Sequence, residues 1–175
     1  MEQKVFTISA FTENSIGLLN RITSMFTRRH LNIESLNTSE SESPGIYRFT
    51  IVVKTTEEQV QKLVLQIEKQ VEVLKAVYHV DEETVFQEIA LYKVSTKSVA
   101  DGNLVEKLIR DNNARILSME QEFMIIEKTG HKAETQELLD FLRPYGVIEF
   151  VRSGRISVIK PMEELEDLRK RITNF

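Results

Sequence analysis

The stretch with the most chemical content is Asn14-Ser15-Ile16-Gly17-Leu18-Leu19. Short polar residues precede a glycine, and apolar residues then recur at helical spacing, so a strand is expected to turn into a helix here. Asn14 or Ser15 suits the N-cap, where a side-chain oxygen accepts from a first-turn N–H. Gly17 is the odd residue, because glycine inside a helix costs about 1 kcal/mol relative to alanine. One reason for it is close approach by something that a Cβ would exclude. Unpaired amides and the positive end of the helix dipole favour a carboxylate or phosphate at that point. The plainer reading is a turn residue with no ligand.

Other chemistry is thin. His30, His79 and His131 are scattered without metal-ligand spacing, so no metal site is expected. There are no cysteines, which removes disulfides, thiolate ligands and cysteine nucleophiles and fits an intracellular, cytoplasmic setting. No Gly-rich phosphate loop, nucleophile elbow or paired catalytic carboxylate set is present. Glu40, Glu42 and the run Asp81-Glu82-Glu83 read as solvated loops; Arg28 and Arg29, or the pair Arg152 and Arg155, could meet an acidic partner, although exposed cations usually face water. A net charge of −4 speaks against non-specific nucleic-acid binding. No run is apolar and long enough for a signal peptide or a bilayer span, so no membrane partner is expected.

The elements that must position the first stretch follow from periodicity. Residues 5–11 alternate as a strand, with Phe6, Ile8 and Ala10 on one face. The helix that follows is expected to bury Ile16, Leu19, Ile22 and Phe26 and to end near Arg28-Arg29-His30. Strands over residues 31–39 and 46–54 come next, with Tyr47, Phe49, Ile51 and Val53 on one side. A helix capped by Thr55 or Thr56 has Val60, Leu63, Val64, Ile67 and Val71 as its stripe, and residues 73–80 form a fourth strand. The order is βαββαβ, that of the ferredoxin-like sandwich.

The acidic run then marks a boundary, and the order repeats: strand 85–96, helix 101–112, strands 114–119 and 123–127, helix 134–142, strand 147–151. Pro144-Tyr145-Gly146 stops the last helix. The fold class is therefore α+β, two ferredoxin-like domains in tandem over residues 1–80 and 84–160, with a charged C-terminal helix over 161–175. The second half has only the looser match Ser98-Val99-Ala100-Asp101-Gly102, so a ligand site belongs to the first.

Two longer runs carry a family resemblance. Residues 12–21, Thr12-Glu13-Asn14-Ser15-Ile16-Gly17-Leu18-Leu19-Asn20-Arg21, followed by Phe26-Thr27-Arg28-Arg29-His30-Leu31-Asn32-Ile33-Glu34-Ser35-Leu36, closely resemble the regulatory (small) subunits of acetolactate synthase. The run Leu142-Arg143-Pro144-Tyr145-Gly146-Val147-Ile148-Glu149-Phe150-Val151-Arg152-Ser153-Gly154 is similar to that family's second-domain signature. His30 departs from the pattern, where the family commonly has glycine, although histidine tolerates a left-handed backbone better than most residues.

The resemblance implies that the first domain is an ACT domain, that two copies join their ACT sheets side by side, and that this chain performs no catalysis. It implies a large catalytic subunit as partner, carrying thiamine diphosphate, magnesium and FAD, with no cofactor in this chain. It also implies feedback inhibition by a branched-chain amino acid, valine before leucine or isoleucine. The effector is expected at the ACT dimer interface among Asn14, Ser15, Ile16, Gly17, Leu18 and Leu19, with Asn32 and Ile33 completing the pocket. Two readings stand beside this: an ACT sensor acting on another partner, and a small enzyme on the same scaffold, for which no residues speak.

Overall fold

Alternating apolar residues make β1 (Lys4–Glu13) the spine of the first sheet. It runs antiparallel to both β3 (Ile46–Thr55) and β4 (Val73–Val80), while β2 (Ile33–Glu40) pairs with the far side of β3. The strand order is β2-β3-β1-β4. Ile8 lies opposite Ile51, so Phe6, Ile8 and Ala10 share one side with Phe49, Ile51 and Val53. Against that side pack Leu18, Ile22, Met25 and Phe26 of α1 (Leu18–Arg28) and Val60, Leu63, Val64 and Ile67 of α2 (Glu57–Glu68). Burying each such side chain contributes about 1.5–3 kcal/mol, which is why these residues hold the layers together. The computed structural model describes residues 2–99 and 102–160; the helix expected over 161–175 lies outside them.

The phase of α1 differs from the sequence expectation. Its cap is Gly17, not Asn14 or Ser15, and the inward stripe is Leu18, Ile22, Met25 and Phe26. Ile16 therefore sits in the turn, fully exposed, and Leu19 is 44% exposed. A start after the glycine rotates the helix by the 100° or so that each residue contributes. Val71 is likewise exposed, because α2 ends at Glu68 and Val71 lies in the following turn. Thr56 does cap α2, its hydroxyl accepting from the Gln59 N–H at 3.4 Å.

The second unit repeats the plan: β5 (Thr84–Ser95), α3 (Gly102–Asp111), β6 (Arg115–Met119), β7 (Phe123–Gly130), α4 (Lys132–Leu142) and β8 (Val147–Arg152). Its order, β6-β7-β5-β8, matches the first sheet strand for strand. Its core is Ala90, Tyr92, Val94, Met124 and Ile126 of the sheet under Ile109, Leu138, Leu139 and Leu142 of the helices. The buried Tyr92 hydroxyl donates to the Thr135 carbonyl at 2.6 Å. Gly146, at φ 77°, turns the chain from α4 into β8, as the Pro-Tyr-Gly run implied.

The helix ends match as well. His30 (φ 54°) after α1 and Asn113 (φ 51°) after α3 are both left-handed. In each case two N–H groups close the end: His30 to Thr27 and Leu31 to Phe26, Asn113 to Arg110 and Ala114 to Ile109, all within 3.1 Å. This is the six-to-one and five-to-two pattern that satisfies the last carbonyls of a helix.

Chain order and spatial grouping part at the end. Residues up to Phe86 group with the segment that starts at Arg155, and Gln87–Gly154 form the other unit. The returning segment covers polar positions of the first sheet that face away from its helices. Arg155 is almost fully buried; its Nη1 donates to Thr7 Oγ1 at 2.9 Å and to Asp81 Oδ1 at 2.6 Å. Its backbone N–H donates to Ser35 Oγ at 2.8 Å, and its guanidinium lies 3.5 Å from the Phe86 ring centroid. Beyond it β9 (Ile156–Ile159) pairs with β5, and Ile159, like Leu74 and Val77, packs against the pair Phe11 and Ile46. Of the two alternatives for this pair, an acidic partner is the one realised at Arg155, which meets Asp81, and Arg152 likewise lies half-buried near Glu88 instead of facing water.

Candidate effector site

The end of β1 is pinned where the site begins: the Glu13 N–H donates to the Glu72 carbonyl at 2.9 Å. Asn14, Ser15 and Ile16 then form a turn, closed by the Leu18 N–H donating to the Ser15 carbonyl at 3.2 Å. Gly17 adopts φ 83°, a conformation that costs an L side chain about 1 kcal/mol. A Cβ built on Gly17 meets nothing within 4 Å. Its backbone conformation, not close approach by a neighbour, is thus what requires glycine in the single chain. No side chain caps the first turn of α1, which has no acidic residue. Helix amides at such an end favour negative charge.

Around that turn Asn14, Ile16, Gly17 and Leu19 are exposed, Ser15 is half-buried, and the Leu18 side chain belongs to the core. Glu72, in the turn before β4, completes the neighbourhood. Its Oε1 accepts from Arg21 Nη2 at 2.5 Å and from Ser15 Oγ at 3.4 Å. Its own backbone amide, then Arg21 and Ser15, hold its carboxyl below the usual carboxylate range. Neither Glu72 nor Arg21 stood out in the sequence, since 51 residues separate them and no local pattern announces the pair. A cleft of about 580 Å³ between α1 and α2, lined by Asn20, Arg21, Ser24, Arg28, Gln66 and Gln70, opens beside them.

Asn32 and Ile33 lie elsewhere. They follow the C-terminal end of α1, whose 11 residues span about 16 Å, so one chain does not bring them to Gly17. Asn32 is exposed and its Nδ2 donates to Glu34 Oε1 at 3.4 Å. Ile33 is half-buried at the start of β2, whose other edge has no strand beside it among the described residues. Among the described residues no group of three or more His, Asp or Glu side chains could hold a metal ion, and no helix is long and apolar enough to cross a membrane.

Comparison with known proteins gives the family. Residues 8–75 match the model for the AHAS small subunit-like ACT domain, and residues 87–161 match that for the small subunit of acetolactate synthase. The acetolactate synthase small subunit of Bacillus subtilis is 32% identical over 91% of this chain and 93% of its own length. That of Mycolicibacterium smegmatis is 33% identical over 87% and 89%. The crystal structure of the small subunit from Thermotoga maritima superposes with a TM-score of 0.81, at 28% identity, over 90% of this chain and 98% of that one. With an ACT unit and a second ferredoxin-like unit in the same order, the chain belongs to the acetolactate synthase small-subunit family.

Proposed function

We propose that this chain is the non-catalytic regulatory subunit of acetolactate synthase, activating a large catalytic subunit and making it sensitive to a branched-chain amino acid, valine first. Thiamine diphosphate, magnesium and FAD belong to the large subunit in this reading, and this chain contributes no group to the chemistry. The observation that carries it is the exposed turn before α1, where a left-handed Gly17 leaves first-turn amides without a side-chain cap between exposed Ile16 and Leu19. The effector's carboxylate binds those amides. Ile16 and Leu19 hold the aliphatic tail, and Asn14 offers an amide to the polar head. Glu72, already ionised beside Ser15, accepts from the ammonium group.

Asn32 and Ile33 join the site only from a second copy, because 16 Å or so of helix separates them from Gly17 within one chain. The open edge of β2 is where two ACT sheets meet side by side. A ligand shared across that edge prefers one dimer arrangement over another, and this preference is what reaches the large subunit.

The test is acetolactate formation by the large subunit with and without this chain, across added valine, leucine and isoleucine. Activation together with inhibition by one of the three is expected. Gly17→Asp sets a carboxylate against the ligand's own and should raise the inhibitory concentration at least about tenfold, or about 1.4 kcal/mol, while activation persists. Full sensitivity in a folded Gly17→Asp chain removes the site from consideration. Failure to bind or activate any large subunit leaves an ACT sensor of a different partner.

A further inference from the structure

Arg21 stands at the end of α1 where a cation is least welcome. Its amide closes the first turn on the Gly17 carbonyl at 3.1 Å, and helical Cα–Cβ bonds tilt its side chain back toward the helix start. There its Nη2 donates to Glu72 Oε1 at 2.5 Å, and Ser15 Oγ donates to that same oxygen at 3.4 Å. Basic residues suit the opposite end of a helix, because the first-turn amides already carry partial positive charge. Glu72 thus answers both a guanidinium and an uncapped first turn with a single negative charge. A second anion is electrostatically welcome beside it. The pair is also easy to part. Its side chains are 45% and 21% exposed, and such open ion pairs add little to stability. The cleft between α1 and α2 opens on the Arg21 side and leaves the guanidinium room to turn.

We propose that Arg21 and Glu72 together set the head-group specificity of the effector site, exchanging their mutual ion pair for one charge each of a zwitterion. Arg21 donates to the ligand's carboxylate, and Glu72 accepts from its ammonium group. The assignment rests on the effector reading above and adds the rule by which ligands are chosen. A carboxylate and an ammonium on one carbon match two groups that already touch. A 2-oxo or 2-hydroxy acid with the same tail satisfies Arg21 but sets a second anion beside an unpaired Glu72. An amino acid amide pairs with Glu72 and leaves Arg21 unanswered. Sites built to pair a polar group reject the analogue lacking it far more strongly than apolar pockets sort a methylene. The head group is therefore selected more sharply than the tail.

Equilibrium dialysis of the full-length chain tests this with valine, leucine and isoleucine, each beside its 2-hydroxy acid and its amide. The parent chain should bind the preferred amino acid at least about tenfold more tightly than either analogue. Glu72→Gln should weaken the amino acid by about tenfold or more while the hydroxy acid binds no worse. Arg21→Gln should weaken both the amino acid and the hydroxy acid and spare the amide. This crossed pattern separates charge reading from scaffolding, since a merely structural pair would weaken all ligands alike. Equal loss of all three ligand types, or an undiminished amino acid in either variant, overturns the proposal and leaves the effector reading standing. If a variant loses the parent's circular dichroism, the parent's own ranking decides, and a hydroxy acid bound as tightly as the amino acid overturns the proposal. A parent chain that binds none of the three amino acids overturns both readings.

Discussion

Arg155 concentrates more of the first unit's long-range order than any of its sequence neighbours suggests. One guanidinium satisfies Thr7 of β1 and Asp81 beyond β4 while stacking on Phe86, and the same residue's amide reaches Ser35 of β2. Arg155→Met keeps the apolar stem and removes the charge. With Asp81 partly open to water, the expected loss is about 2–3 kcal/mol, read as a lower midpoint in urea unfolding. Gly17→Ala tests a different term. No neighbour meets the added methyl, so the loss should be about 1 kcal/mol from the positive φ alone. Residues like Arg155 and Glu72 stay illegible in a sequence because their meaning comes from partners 148 and 51 positions away. Gly17 was legible as special, and within the single chain its backbone angle is what requires glycine.

At the scale of elements, periodicity served strands better than helix starts. A strand's side chains alternate whatever its ends, so the buried sides of β1 and β3 could be read directly. A helix's inward stripe depends on its first residue, and the polar Asn14-Ser15 pair pointed to a start before the glycine that truly precedes α1. The ends, by contrast, repeat in both units with His30 and Asn113 left-handed. His30→Gly relieves that strain and should raise stability by about 1 kcal/mol. Asn113→Gly should gain less, because asparagine tolerates this conformation better than histidine's bulkier ring does. Thermal melting of both variants against the parent chain checks the order.

For the whole molecule, two cores mean two bodies that answer differently to solvent. Tyr92, buried under α4, has its phenol pushed up to about 12 by burial, with nearby Arg152 acting against the shift. The unfolded chain gives up that proton near pH 10. Stability due to neutral Tyr92 is therefore complete below pH 10 or so and is lost as pH rises from there through about 12, a change of about 2 kcal/mol. Urea titrations between pH 8 and 12 should show the second unit weakening, with a flatter slope in Tyr92→Phe. Both tandem units and the resemblance were legible because each half carries its own repeat of patterns. The return of Arg155 to the first unit was not, since nothing local marks a segment that reaches back to Thr7.

That return has a consequence for how the protein is made. The ribosome releases the first unit's six strands and helices early, yet the guanidinium that satisfies Thr7 and Asp81 emerges only after all of Gln87–Gly154 has been synthesised. A nascent chain stalled before Arg155 holds a first unit whose polar sheet face is still wet, and it closes only once the segment from Arg155 has emerged.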